Sequence, residues 1–98
     1  MRPAEIEEAV CADPAIVEAA CVSVTDADGF ERLALFVVPR GAKAQALAAA
    51  ERACAERLPR YKRPKWIRAA AELPRTATGK LQRYRLREMM LRELGDGR

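Results

Sequence analysis

Residues 20–40 read ACVSVTDADGFERLALFVVPR, and this stretch predicts the element around which the other helices and strands are arranged. Its first part places Ala20, Val22 and Val24 on one side of an extended chain, because successive side chains of a strand point to opposite faces. The Asp-Ala-Asp-Gly tetrapeptide that follows has the composition of a tight turn. The continuous apolar run 33–38 predicts a second strand that is covered on both faces. The stretch therefore predicts a β-hairpin.

Helices and a further strand are predicted on both sides of this hairpin. A leading proline and several glutamates favour a helix over residues 3–12, which an Asp-Pro pair ends. The alanine-rich segment 43–58 contains neither Gly nor Pro and predicts a second helix. A third strand is predicted at 66–71, followed by a polar loop and a final helix that frays from Gly95 onward. The residues expected on the inward side of that helix are Tyr84, Leu86, Met89, Met90 and Leu94.

The order of these elements predicts the fold class. The chain is 98 residues long, which fits a single domain over 1–98. Helices segregated against a small antiparallel or mixed sheet indicate an α+β domain, with a three-stranded sheet that includes the hairpin and is flanked by helices.

Composition excludes several classes of site. The chain contains no His, so imidazole bases and His-containing metal sites are excluded. Its cysteines, Cys11, Cys21 and Cys54, share no C-x-x-C spacing, which predicts neither a disulfide framework nor a metal site and favours the reducing cytoplasm. No apolar run approaches the roughly 18 residues of a membrane span, so no membrane partner is expected.

Positive charge is concentrated in one part of the chain. Residues 57–87 hold eight Arg and three Lys against the single acid Glu72, whereas the rest of the chain holds seven basic and thirteen acidic residues. Such a segment indicates an anionic partner: nucleic acid, phosphate groups or an acidic surface. A solvated, arginine-rich face is the alternative interpretation.

Two stretches within this segment carry the candidate chemistry. Residues 60–66, RYKRPKW, combine cations with aromatic rings that could stack on bases, although no nucleic-acid-binding signature is present. Residues 74–80, PRTATGK, offer hydroxyls and backbone N–H groups beside a lysine at the loop tip. The second stretch is not a Walker A loop, because Pro74 replaces the first glycine and Leu81 follows the lysine.

At these residues the chain resembles the C-terminal domain of the adenylate-forming enzymes, the superfamily of acyl-CoA synthetases, peptide-synthetase adenylation domains and luciferases. Residues 3–7 resemble its P-x-E-I-E helix opening, and residues 13–20 its passage into the first strand. Residues 36–38 match the end of its second strand. Residues 58–64 are similar to its L-x-x-Y-K-x-P segment, and residues 73–83 to its L-P-R/K-T-x-x-G-K-I/L-x-R signature.

The resemblance implies a two-step acid–thiol ligase. A carboxylic acid and ATP, with Mg²⁺, give an acyl-adenylate and pyrophosphate; the C-terminal domain then rotates, and CoA attacks to form the thioester. The motif lysine, here Lys80, would stabilise negative charge in the first step. Thr76, Thr78 and Gly79 would support its loop. The motifs look most like those of aryl-CoA ligases such as benzoate-CoA ligase.

The Y-K-x-P segment implies a second role. In CoA-forming members it lines the path of the CoA nucleotide, so Tyr61, Arg63 and Lys65 are the candidate CoA-binding residues. An aromatic ring can stack on adenine, and cations can pair with phosphates. The family's motif lysine is also known to be acetylated, which implies a lysine acetyltransferase and a deacetylase as partners at Lys80.

The resemblance also bears on what surrounds this domain. The family's hinge and its large N-terminal domain, which binds ATP and the acid, are absent from the sequence, where only Met1 and Arg2 precede the first helix. We therefore expect a C-terminal lid domain from a longer ligase, inactive by itself and binding no cofactor tightly, with the N-terminal domain, CoA and the acyl-adenylate as partners. The alternative is a stand-alone basic module that binds nucleic acid or a protein. The identity of the acid cannot be inferred from these residues.

Overall fold

The hairpin predicted from residues 20–40 is present in the structure, a computed structural model that describes residues 3–96. A short 3₁₀ turn follows the second α-helix. The elements in chain order are α1 (Pro3–Cys11), β1 (Ile16–Thr25), β2 (Glu31–Pro39), α2 (Lys43–Arg57), the 3₁₀ turn (Arg60–Lys62), β3 (Trp66–Ala69) and α3 (Arg83–Asp96).

The turn between β1 and β2 is held by one side chain. The Oδ1 atom of Asp26 accepts the backbone N–H of Asp28 at 3.0 Å and that of Phe30 at 2.9 Å. Gly29 has φ +85°, a left-handed conformation that glycine adopts without the steric penalty of a Cβ atom. Local turn chemistry therefore sets the register of the antiparallel pair.

The sheet is mixed. Its order is β1-β2-β3, with β1 antiparallel and β3 parallel to β2. Helix α2 makes the crossover that a parallel neighbour requires. The third strand ends at Ala69, earlier than the sequence indicated, although the Ala70 N–H still donates to the Val37 carbonyl at 2.9 Å.

Both faces of the sheet are covered, which confirms the prediction made for β2. Leu35 and Val37 face α1 and α2, whereas Ala34, Phe36 and Val38 face α3. The helices contribute mostly small residues to the first core. That core comprises Ile6, Ala9, Val10, Ile16, Cys21, Leu35, Val37, Ala46, Ala49, Ala50, Ala53, Cys54 and Leu58.

The predicted inward face of α3 was too wide. Leu86 and Met90, one turn apart, are fully buried, and Leu94 packs partly against them. The prediction that Tyr84 and Met89 face inward was wrong, because their side chains are 49% and 42% exposed. A single sheet face covers this helix, so only its narrow i, i+4 stripe is buried.

The helix also extends beyond the predicted fraying point. Gly95 and Asp96 belong to α3, while Gly97 and Arg98, like Met1 and Arg2, lie outside the described residues. None of the helices within residues 3–96 is both long and apolar enough to cross a bilayer.

Candidate functional site

One candidate site is the loop 74–82, here called the Lys80 loop, which lies between β3 and α3. It closes as a small hairpin. The Thr76 N–H donates to the Lys80 carbonyl oxygen at 2.8 Å, and the Gly79 N–H donates to the Thr76 carbonyl oxygen at 2.9 Å. Gly79 has φ +91°, so the chain turns in a conformation that favours glycine. The backbone on either side of Lys80 is therefore held in place.

The two threonines act inside the loop. The Thr76 hydroxyl oxygen accepts the Lys80 backbone N–H at 3.0 Å and lies 3.1 Å from the Thr78 hydroxyl. These contacts fit the supporting role predicted for Thr76 and Thr78. The Thr76 hydroxyl orients the lysine backbone directly, and the Thr78 hydroxyl contacts that of Thr76.

An arginine that sequence reasoning did not single out fastens this loop to the sheet. Arg75 Nη1 donates to the Gly79 carbonyl oxygen at 2.9 Å, and its Nη2 pairs with the Glu18 carboxylate on β1. Arg75 also forms an antiparallel bridge with Leu81. The arginine is part of the quoted signature, but its partner Glu18 lies 57 residues away in the chain. Only the fold shows the contact.

The side chain of Lys80 extends from this fixed backbone. The residue is exposed. Among the side chains of residues 4–95, no carboxylate lies within ion-pair distance of its ammonium group and no aromatic ring lies beneath it. The loop therefore presents the Lys80 ammonium to an incoming anion, whereas its other cation, Arg75, is paired with Glu18.

The end of the loop is fixed by a second, partly buried contact. Arg83 Nη1 donates to Glu7 Oε2 at 2.8 Å and to the Cys21 carbonyl oxygen at 2.7 Å. The same Glu7 oxygen accepts the Cys21 N–H at 2.8 Å. Helices α1 and α3 are thus joined across β1 by the last residue of the signature segment.

The second candidate site surrounds the 3₁₀ turn. Tyr61 is 82% exposed, with the Lys62 ammonium 6.0 Å from its ring centroid. The Lys65 N–H donates to the Leu33 carbonyl oxygen at 2.9 Å, and its ammonium lies 5.3 Å from the Trp66 ring centroid. The tyrosine ring is open for stacking and the lysine is fixed at its backbone.

Arg63 has a structural task that the sequence did not reveal. Its Nε donates to the Leu58 carbonyl oxygen at 3.1 Å and its Nη2 to the Ala55 carbonyl oxygen at 2.9 Å. These are carbonyls at the C-terminus of α2, where a cation also interacts favourably with the helix dipole. Since a guanidinium has five N–H donors, Arg63 retains donors for a ligand while it caps the helix.

Tyr61, Arg63 and Lys65 all line a polar cleft of about 370 Å³, here called the cationic cleft. Arg32 and Arg60 line it as well, although sequence reasoning did not name them as site residues. Four cations face one acid, Glu31, which suits an anionic ligand. The lining residues are Glu31, Arg32, Leu33, Arg60, Tyr61, Arg63 and Lys65.

The two candidate sites lie at opposite ends of the hairpin. The Lys80 loop is fastened at Glu18, near the start of β1, whereas the cationic cleft is lined by the first residues of β2, opposite Thr25. The seven steps from Glu18 to Thr25 correspond to about 23 Å at about 3.3 Å per residue. One small ligand cannot contact both sites at once.

The cysteines provide no nucleophile for these sites. Burial raises the pKa of Cys21 to about 12 and also raises the pKa of Cys54, while partial desolvation and the carboxylates of Glu7 and Glu18 raise the pKa of the exposed Cys11. Cys54 lies in the first core cluster, as expected of a small apolar residue. The thiolate forms are therefore little populated near neutral pH.

Comparison with known proteins identifies the domain. The model of the AMP-binding enzyme C-terminal domain matches residues 5–80. The chain is 47% identical over 93 residues to a 3-hydroxybenzoate–CoA/4-hydroxybenzoate–CoA ligase of Thauera aromatica, covering 92% of this chain and 18% of that protein. It is 40% identical over 93 residues to a 3-hydroxybenzoate–CoA ligase of Aromatoleum sp. strain CIB, again covering 92% of this chain and 18% of the relative.

Solved structures also resemble this chain. The crystal structure of an ATP-bound RpMatB–BxBclM chimera superposes with a TM-score of 0.79 at 32% identity, covering 89% of this chain and 18% of that chain. The chain thus spans about 18% of the length of the curated relatives it matches first.

Proposed function

Because this chain belongs to the AMP-binding enzyme C-terminal domain family, we propose that it is the mobile C-terminal lid domain of an ATP-dependent carboxylic acid–CoA ligase. We further propose an aryl acid such as benzoate as the substrate, which the 47% identity to a hydroxybenzoate–CoA ligase supports. The observation that carries the proposal is the Lys80 ammonium, unpaired among the described residues on a loop whose backbone is fixed.

In the first half-reaction, Lys80 would lie beside the acid carboxylate and the α-phosphate of ATP. The attack brings two anions together, and a preorganised cation stabilises the charge as it develops. Mg²⁺ would arrive with ATP, bound to its phosphate oxygens. Because the Lys80 backbone N–H and carbonyl are both already hydrogen-bonded to Thr76, little ordering of the loop would remain at the moment of reaction.

In the second half-reaction, the cationic cleft would receive the CoA nucleotide. Tyr61 is exposed enough to stack on adenine, while Arg63 and Lys65 would pair with phosphates. The distance between the two sites supports the proposed rotation, since each must approach the same reaction centre in turn. The partners would be the N-terminal domain, CoA and the acyl-adenylate. A basic module for nucleic acid is not favoured, because the relatives are CoA ligases.

Lys80 is also proposed as a site of regulatory acetylation. The side chain is exposed at a loop tip, where a lysine acetyltransferase and a deacetylase could reach it. Acetylation would remove the charge while keeping the stem.

The proposal can be tested with a hybrid ligase, in which this chain replaces the matched 93-residue segment of the Thauera aromatica relative. We expect the hybrid to catalyse both acid-dependent ATP–pyrophosphate exchange and CoA thioester formation. The control is the same relative truncated before that segment. A hybrid no more active than the truncated protein would overturn the proposal.

The glycine of the Lys80 loop provides a first prediction. In the hybrid ligase, Gly79→Ala should lower adenylation several-fold, because a Cβ at φ +91° is strained by roughly 1 kcal/mol and would displace the neighbouring lysine. The matched control is Gly29→Ala, at φ +85° and equally free of contacts within 4 Å. Both variants should lose similar thermal stability, measured by calorimetry. Equal effects on pyrophosphate exchange would contradict a specific role for the Lys80 loop.

The cationic cleft provides a second prediction. Lys65→Ala should raise the KM for CoA roughly three- to tenfold, the scale of one charge-assisted contact at a half-exposed site, with pyrophosphate exchange unchanged. Arg63→Ala should raise the KM similarly and also lower the melting temperature, because α2 loses its cap. Lys43→Ala, at the exposed start of α2, is the control. A collapse of pyrophosphate exchange in Lys65→Ala would assign this face to the first half-reaction instead.

A further inference from the structure

The two carboxylate oxygens of Asp26 make different contacts. Oδ1 accepts two backbone N–H groups of the hairpin turn. Oδ2 faces two cations: Arg32 Nε at 3.1 Å and Lys65 Nζ at 3.9 Å. The Asp26 side chain is only 8% exposed, so the turn fixes the direction in which Oδ2 points.

Both cations line the cationic cleft, whereas Asp26 does not. Arg32 lies on β2 and Lys65 just before β3, and both side chains are about half exposed. Each also lies 5.3 Å from the centroid of an aromatic ring, Phe30 for the arginine and Trp66 for the lysine. Asp26 is thus the shared anchor of two long side chains that would otherwise sample many rotamers.

The carboxylate is well suited to this task. The backbone N–H of Phe30, together with Arg32, holds the pKa of Asp26 below its ordinary value. The anchor therefore stays ionised near neutral pH.

We propose that Asp26 is a positioning residue for CoA binding, which holds Arg32 and Lys65 at the rim of the cationic cleft in the geometry that receives the nucleotide phosphates. This inference rests on the proposed function, since it assumes that the cleft binds CoA. It assigns to Arg32 a direct phosphate contact and to Asp26 an effect exerted through the two cations.

The substitution Asp26→Asn distinguishes a positioning effect on the two cations from the plain electrostatic effect of removing a negative charge. The amide oxygen can still accept both backbone N–H groups of the turn, but the atom that replaces Oδ2 can no longer attract cations. Losing a negative charge near the cleft should strengthen the general attraction of anions. If positioning dominates, CoA binding weakens instead, so the two mechanisms predict opposite signs.

The experiment measures CoA-dependent thioester formation by the hybrid ligase. We expect Asp26→Asn to raise the KM for CoA about fivefold, with kcat and pyrophosphate exchange within about twofold of wild type. The control Asp28→Asn removes the same charge from the same exposed turn, and its KM should stay equal or fall. In the Arg32→Ala/Lys65→Ala background, Asp26→Asn should have no further effect.

The outcomes distinguish the inference from the function on which it rests. If Lys65→Ala raises the KM for CoA while Asp26→Asn leaves it unchanged or lowers it, the positioning role is overturned and the proposed function stands. If neither Lys65→Ala nor Arg63→Ala changes the KM, or if the hybrid forms no thioester, the CoA assignment of the cleft is overturned and the inference with it.

Discussion

Lys80→Ala in the hybrid ligase should slow adenylation by about a hundredfold or more, the scale of losing one preorganised donor of transition-state charge stabilisation. In the structure, the Lys80 side chain makes no contact on which the fold of the loop depends. Among the side chains of residues 4–95 the Lys80 ammonium has no ion-pair or ring partner, and its loop is closed by contacts of the lysine backbone rather than of its side chain. Removal of the side chain should therefore leave both the loop and the melting temperature unchanged. The measurement is acid-dependent ATP–pyrophosphate exchange.

The second half-reaction provides the internal control for Lys80. Thioester formation from supplied acyl-adenylate and CoA should fall far less, because under the proposed function the cationic cleft and not the Lys80 loop would then face the reaction centre. Lys43→Ala should affect neither half-reaction. Acetyl-lysine incorporated at position 80 should reproduce the loss, and a deacetylase should restore the activity. Equal losses in both half-reactions would contradict the division of labour between the two ends of the hairpin.

The sequence predicted those parts of the fold that local chemistry controls. The Asp-Ala-Asp-Gly turn, the apolar run of β2 and the alanine-rich α2 were all correct, because each depends on neighbouring residues. The parallel pairing of β3 was left open, since it depends on where the crossover helix packs. Tyr84 and Met89 were misplaced because periodicity alone does not say how wide a helix face its neighbours cover.

In the candidate site, too, the sequence predicted what neighbouring residues determine and missed what distant residues determine. Lys80 and its threonines were predicted from one contiguous signature, and the structure places them in one loop. The contacts that hold this site connect distant residues: Arg75 with Glu18, Arg83 with Glu7, and Lys65 with Asp26. No periodicity or spacing in one sequence pairs residues so far apart. The helix-capping task of Arg63 was hidden for the same reason.

These long-range contacts explain how a small domain can hold its two candidate sites, the Lys80 loop and the cationic cleft, at separate places. Asp26 and the turn fix the cations of the cleft at one end of the hairpin, and Glu18 fixes the Lys80 loop at the other. The hairpin is the rigid element between them, and both of its faces are packed. A rigid-body rotation can therefore exchange one site for the other with little internal rearrangement.

The 98-residue chain by itself should fold cooperatively but catalyse nothing. Core residues cover both faces of the sheet, which makes an independent transition feasible at this size. Its stability should be modest, since the buried positions of α2 are alanines and one cysteine, which bury little apolar area. Thermal unfolding followed by circular dichroism should show one transition, coincident with that seen by tryptophan fluorescence at Trp66.

Catalysis by this chain should be undetectable because Lys80 can stabilise a transition state only when the reactants are held beside it. The Lys80 loop provides a cation but no enclosing walls, and every residue that lines the cationic cleft except Leu33 is exposed. Pyrophosphate exchange should therefore be absent with benzoate and 3-hydroxybenzoate. ATP binding, measured by calorimetry, should be weak and should fall steeply between low and high salt, as expected of exposed cations. Saturable binding of ATP that resists salt would show instead that this chain is a self-sufficient nucleotide-binding protein.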